Sequence, residues 1–406
     1  MSILNAPIFT VRNLLTVLLV FSFVLFPFYV RFDISSELAY INVPFYFALV
    51  LLINECSGEV GTMNMLTWSC AVCIYLSTEA VAGVSAVNII KFFFLYCAPL
   101  LVCQLGLGAG DGERFARLLI QAFNIGVLIV FAILILDLLT GSSVMRVLSA
   151  HFATGLSGWV LTGVFERHVS IWGHFLTTAG FYIAFLFFNV AYAKIEGEYL
   201  INVKLLYVVA TLGVLSTGGK TAIVIYLVSI IWINLTSTHG VRNAAALTIF
   251  LLVLFHVGAF DIVLERFGAA DLSSGRNEST EMMLAIERPG LFSGYGENFT
   301  NYAYSLIGKY YAAMFMEYSL LTLSYKFGLV FVALECVLLL WPAFSIARAT
   351  GKWIIAFMGV MLLTYFSTFN GLAGVPDIYL LIALYGVCLN SMKRGMQIRA
   401  ISKGGK

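Results

Sequence analysis

Residues 115–139 read FARLLIQAFNIGVLIVFAILILDLL, an apolar run carrying one arginine near its start and one aspartate near its end. A helix rises 1.5 Å per residue, so a run of this length crosses the roughly 30 Å hydrocarbon core of a bilayer. Eleven further apolar runs lie near 13–30, 38–53, 62–82, 87–107, 172–193, 199–217, 219–236, 243–263, 318–341, 352–370 and 375–391. Together they predict an all-α polytopic integral membrane protein: a single membrane domain over 1–406 with about twelve transmembrane helices. Composition agrees, with 61% hydrophobic residues, 11% charged residues and a mean hydropathy of +0.96 over 406 residues. A soluble domain carries about 25% charge, so lipid is the natural solvent of this chain.

An even number of spans puts both termini on one side of the membrane. The C-terminal Lys393, Arg394, Arg399, Lys403 and Lys406 mark that side as cytoplasmic. Thirteen basic residues then fall in cytoplasmic segments against five in the short outer ones, the bias expected of an inner-membrane protein. Two larger loops, 140–171 and 264–317, face outward as periplasmic loops. No small-residue cleavage site follows the first apolar run, which is read as a retained span. A net charge of +2 with scattered basic residues predicts no nucleic-acid partner. The seven cysteines lie in or beside apolar runs and read as small packing residues. Cys70-x-x-Cys73 has redox or zinc spacing but lies in an apolar run without a partner pair, no His-Glu-x-x-His pattern or acidic triplet occurs, and neither a metal nor a cofactor is expected.

The long outer loop is the one extended polar interval. It contains Ser274-Gly275-Arg276, then Arg288-Pro289-Gly290, then Ser293-Gly294-Tyr295-Gly296, and closes at Glu317. It presents no obvious helix or strand pattern, and loops of this length are functional or disordered. Small residues beside Arg276 let a phosphate approach, and a guanidinium fork donates two hydrogen bonds to it at once. Glu317, at the membrane edge, has the chemistry of a general base, or of an acid that complements a helix start. Ser216-Thr217-Gly218-Gly219-Lys220 fails as a nucleotide P-loop, because Val214 stands where a glycine is needed. It reads either as an anion site at a helix N-terminus or as a tight turn with a snorkelling lysine. Arg167 and His168, before the sixth run, are a further cation and an interfacial or substrate-contacting histidine. Glu79, Lys91, Asp137, Glu335 and Asp377 fall inside or near spans, where charge is costly, and sequence offers them no partners.

The run Ser274-Gly275-Arg276 through Arg288-Pro289-Gly290-Leu291-Phe292-Ser293-Gly294-Tyr295-Gly296 resembles the "SGR … hPlfGyG" stretch of the bacterial O-antigen polymerase and ligase family. Glu317-Tyr318-Ser319-Leu320-Leu321 and Gly328-Leu329 are similar to the segment by which that family enters its next span, and Lys220 stands where an arginine is usual. The short motifs cover about a fifth of the chain. Family ligases carry a histidine where this chain has Glu317, which favours the polymerase branch. The resemblance implies an inverting, metal-independent glycosyltransferase acting on undecaprenyl-diphosphate-linked oligosaccharides at the periplasmic face. It also implies a chain-length regulator and a flippase as partners. Arg276 and Glu317 would be catalytic, and Lys220, Arg167, Arg288, His168 and Tyr295 would hold substrate. A lipid-linked oligosaccharide flippase or another transporter is the alternative from a different class.

Overall fold

A computed structural model describes residues 10–35, 39–108, 112–151, 168–236, 245, 249, 256 and 276–404. Helices α1 (Val11–Val24) and α2 (Phe28–Ile34) are followed by α3 (Val43–Cys56), α4 (Thr62–Val81), α5 (Ala86–Gln104), α6 (Gly112–Leu139) and α7 (Ser143–His151). Then come α8 (Phe175–Glu196), α9 (Val203–Ser216), α10 (Lys220–Leu235), α11 (Arg276–Ile286) and α12 (Phe299–Met316). The chain closes with α13 (Ser319–Phe327), α14 (Leu329–Thr350), α15 (Ile354–Ser367), α16 (Gly371–Gly374) and α17 (Pro376–Gly404). Among the described residues, four helices, α5, α6, α8 and α14, are long and apolar enough to cross a bilayer, and α1 with α2 makes a fifth if that bent pair is one span. Helices α3, α9, α10 and α15 are apolar but shorter. This is the build of a helical membrane protein. The apolar run 13–30 is not one straight helix: α1 and α2 meet at 82°, where Pro27 precedes the first turn of α2 and leaves the backbone without a donor.

The connections sort into two ends. At one, the C-terminal Arg394 donates to the carbonyls of Ser57 (2.7 Å) and Gly106 (3.1 Å), and Arg399 pairs with Glu113 (2.8 Å) and Glu196 (3.0 Å). Lys352 donates to the Lys194 carbonyl beside them. At the other end Asp377 pairs with Arg31 (2.7 Å), Asn298 reaches the Ala82 carbonyl (2.7 Å), and the His168 amide donates to Ser216 O (2.8 Å). Ser319 there donates to the Phe369 carbonyl (3.2 Å). Among the described residues, the α3–α4, α5–α6, α8–α9 and α14–α15 connections lie at the basic tail end, and the intervening α4–α5 and α9–α10 connections lie at the loop end. Helix α8, with 22 residues, is about 33 Å long, which sets the distance between them.

Helix α8 is the axis of the bundle. Nearly all of it is buried, with tyrosine, phenylalanine and alanine on every side, as expected of a helix surrounded by others. Close approach depends on small residues: Gly180 faces the Phe366 ring and Gly213 of α9 faces the Tyr182 ring. Asn124 of α6 and Asn189 of α8 exchange amide hydrogen bonds of 2.9 and 2.7 Å in the interior. Large apolar side chains such as Phe47, Leu66, Leu136, Ile231 and Trp341 are exposed on the outside. In water such a surface would be an aggregation site; against lipid it is ordinary. All seven cysteines are free, and Cys70 and Cys73 are exposed rather than packed inside.

Candidate functional site

The glycine-rich segment is an ordered wedge. Its position is set by a break between α13 and α14 at Gly328, whose backbone (φ 94°, ψ 161°) only glycine adopts without strain. The break exposes amides that the loop carbonyls satisfy: Leu329 N–H donates to Gly290 O and Val330 N–H to Leu291 O, each at 2.9 Å. Tyr295 N–H donates in turn to Tyr325 O at 2.9 Å. A Cβ added at Gly294 would stand 2.0 Å from that same Tyr325 carbonyl, so the residue must be glycine. The apolar run 318–341 is therefore two helices with the loop seated between them.

Two charged clusters fix the wedge. Glu287, after α11, accepts from the Tyr295 and Tyr302 hydroxyls (2.7 Å for Tyr302), and its carbonyl accepts from Tyr325 OH at 2.7 Å. The Tyr295 and Tyr302 rings stack with centroids 4.1 Å apart. Burial, and then donation to Glu287, hold the Tyr295 phenol above its usual range. Deeper in, Lys326 Nζ lies 2.9 and 2.8 Å from the two Glu297 carboxylate oxygens and 3.2 Å from Tyr96 OH. The Glu297 amide donates to Glu79 Oε1 at 3.2 Å. This pair is largely shielded, with 6% of the Lys326 and 13% of the Glu297 side chain exposed.

Arg276 and Glu317 come together. The guanidinium Nε and Nη2 both reach Glu317 Oε2, and about a quarter of each side chain is exposed. Glu317 caps the C-terminus of α12 and does not begin the next helix. A carboxylate there is opposed by the helix dipole, and the Arg276 cation offsets that. Beside the pair lies an open cleft of about 480 Å³ lined by Asn277, Thr280, Glu281, Tyr318, Leu320 and Ser367, among others. Its amide, hydroxyl and carboxylate groups can form hydrogen bonds with a polyhydroxylated ligand, and Tyr318 OH already donates to Asn277 Oδ1 at 3.2 Å.

The other predicted residues are dispersed around the same end. Lys220 opens α10 behind Gly219, as its motif predicts. Gly219 packs against Leu176, next to the His174 cap of α8, and the His174 ring faces Phe369, whose carbonyl holds Ser319. His168 is buried, with Nδ1 3.8 Å from the Asp137 carboxylate and Nε2 without a hydrogen-bond partner. Burial pushes its imidazole down to about 4, and 3% of its side chain is exposed. His174 Nδ1 accepts from the Leu176 amide at 3.2 Å, which requires a neutral ring, and burial pushes it too down to about 4. Arg288 is exposed and has no partner among the described residues. Arg167, Ser274 and Gly275 lie outside the described residues.

The sequence reading of 264–317 as patternless is corrected from residue 276 onward, where α11 is a helix and α12 is helical on both sides of a kink at Gly308 (φ 78°, ψ 158°). Phe299, Ala303 and Ile307 recur every four residues and are all buried, a period that marks a helix face. Spacing gave no sign of Glu297 and Tyr96, whose partners are distant in sequence, nor of Glu287, which Tyr295 and Tyr302 reach from the far side of the wedge. The chain matches no protein-family model and no curated protein.

Proposed function

We propose that this chain is a membrane-embedded glycosyltransferase of the polysaccharide-polymerase type, with twelve spans, both termini in the cytoplasm and its loop end at the periplasmic face of a bacterial inner membrane. The alternation of connections between a basic tail end and a polar loop end supports that topology. The observation that carries the activity is the Arg276–Glu317 pair at the edge of a cleft lined by hydrogen-bonding side chains. The substrates are two undecaprenyl-diphosphate-linked oligosaccharides, a growing chain and a single repeat unit.

In this reading the incoming diphosphate competes for Arg276. As the guanidinium turns to the phosphate oxygens, Glu317 is released to accept the proton of the acceptor hydroxyl. The acceptor oxygen bonds to the anomeric carbon, the bond from that carbon to the phosphate oxygen breaks, and the lipid diphosphate leaves with the electron pair. Arg276 stabilises the charge on that leaving group, the kind of fixed donor to developing charge that is worth several kcal/mol. Apolar outer faces beside the loop accommodate the polyprenyl tails. A chain-length regulator and a flippase work alongside it.

Deleting the gene and resolving cell-surface polysaccharide on a gel tests the reading. One repeat unit on its acceptor supports a polymerase. Complete loss of attached polysaccharide indicates a ligase, and accumulation of lipid-linked repeats on the inner leaflet indicates a flippase; either outcome contradicts the proposal.

A further inference from the structure

Glu335 lies in α14, one of the four helices able to cross a bilayer, and is 0% exposed. Its Oε1 accepts from the Tyr379 hydroxyl of α17. Its Oε2 is buried and has no hydrogen-bond partner. No ion pair among the described residues involves Glu335.

The groups around it give no countercharge. Helix α5 brings Cys97 and, next to Tyr379, Tyr96; α14 itself adds Cys336. Helix α4 contributes Tyr75, which packs on Tyr96 and Phe327. The titratable residue of α15, Tyr365, donates to the Leu176 carbonyl instead. Lys326 of α13 is engaged by Glu297 and the Tyr96 hydroxyl. An ionised carboxylate in apolar surroundings costs far more than a neutral one, and one tyrosine hydroxyl does not replace a hydration shell. No group of three or more metal-ligating side chains occurs among the described residues, and no hydrogen-bonding atom faces Oε2. The smallest ligand that neutralises the site without further oxygens is a proton.

We propose that Glu335 and Tyr379 form a proton-binding site in the membrane core, with one exchangeable proton held on the Glu335 carboxyl. Acids placed in spans without a countercharge mark functional positions. The Tyr379 ring meets Tyr96 edge-on with centroids 6.0 Å apart, and Tyr96 OH donates to Glu297 Oε1 at 3.1 Å. Proton release at Glu335 therefore places a negative charge two aromatic rings from the root of the loop wedge.

The test uses the full chain in phosphatidylethanolamine–phosphatidylglycerol nanodiscs. Infrared difference spectra taken across pH read the protonated-carboxyl stretch, and a hydrophobic carbodiimide, which reacts with the acid form, reads the same proton as a mass adduct. The expected result is a carboxyl band at neutral pH that disappears in Glu335→Gln and moves to higher frequency in Tyr379→Phe, where its carbonyl loses a hydrogen bond. Adduct on the Glu335 peptide should fall about tenfold per pH unit once the carboxylate predominates. A band unchanged by Glu335→Gln, or no adduct at any pH, overturns the proposal. If Glu335→Gln does not fold, the wild-type adduct profile and the Tyr379→Phe band shift decide the matter alone.

Discussion

Arg276 and Glu317 stand 41 positions apart, yet one guanidinium spans Nε and Nη2 onto a single carboxylate oxygen of the glutamate. The other carboxylate oxygen and Nη1 stay outside the pair. In the proposed mechanism this ion pair is the resting state, and the incoming diphosphate draws the arginine away from it. With about a quarter of each side chain open to solvent the pair is partly screened, and removing either partner should affect activity more than folding.

Arg276→Ala should reduce polymer formation by about a hundredfold or more, the range for losing one donor to developing charge. Arg276→Lys should retain part of it, because the charge survives and the fork does not. Gel ladders normalised to protein in the membrane measure both. Unchanged chain length in Arg276→Ala removes the residue from the mechanism.

Glu317→Gln should lower turnover more than binding of the lipid-linked donor. The amide keeps the shape of the side chain and cannot take up a proton at neutral pH. Equal losses in turnover and binding would assign Glu317 to holding Arg276 in position.

Glu297→Ala leaves the Lys326 ammonium buried without its carboxylate, and breaking such a pair costs about 3–5 kcal/mol. Replacing both, as Glu297→Gln with Lys326→Met, should restore much of the loss. Thermal unfolding in detergent reports both. Equal destabilisation by the single and the double change would contradict the pairing.

Gly294→Ala sets a Cβ against the Tyr325 carbonyl, an overpacking that costs about 1–3 kcal/mol. The wedge should lift, and protease should cut between 288 and 298 in the variant before it cuts the wild type. Identical digestion would show that the wedge tolerates a side chain.

His174 titrates near 4 in the fold against 6.5 when free. Its folded value is depressed, so its contribution is complete above pH 6.5 and is lost as pH falls toward 4. Between those limits the unfolded chain binds the proton first, costing about 1.4 kcal/mol per pH unit at most. His174→Asn, which keeps an acceptor at the helix cap, should flatten the acid limb of the melting curve. An acid limb unaltered by this change would show that His174 does not carry it.

The apolar runs were legible because a bilayer demands length and low charge, and α5, α6 and α8 follow the predicted spans closely, whereas α14 (Leu329–Thr350) starts and ends about ten residues beyond the run 318–341. The breaks were not. Pro27 and Gly328 are single residues inside apolar runs, and their effect depends on what packs there: Asp377 on the Phe28 amide, and the loop carbonyls on Leu329 and Val330. The glycine fingerprint was visible, but its close contact with the Tyr325 carbonyl is tertiary. Arg276 and Glu317 were singled out separately by residue type; their pairing depends on α11 and α12 folding back on one another. Glu79, Glu335 and Asp377 had no partners in sequence and acquire Glu297, Tyr379 and Arg31 in the fold.

Transfer by the purified chain is the most direct test of the central claim. Liposomes holding the protein would be supplied with polyprenyl-diphosphate-linked repeat units extracted from its source cells, and products would be resolved by size. The account predicts a ladder extending beyond one repeat for the wild type and single repeats only for Arg276→Ala. No elongation by the wild type, or elongation that survives Arg276→Ala undiminished, would contradict it.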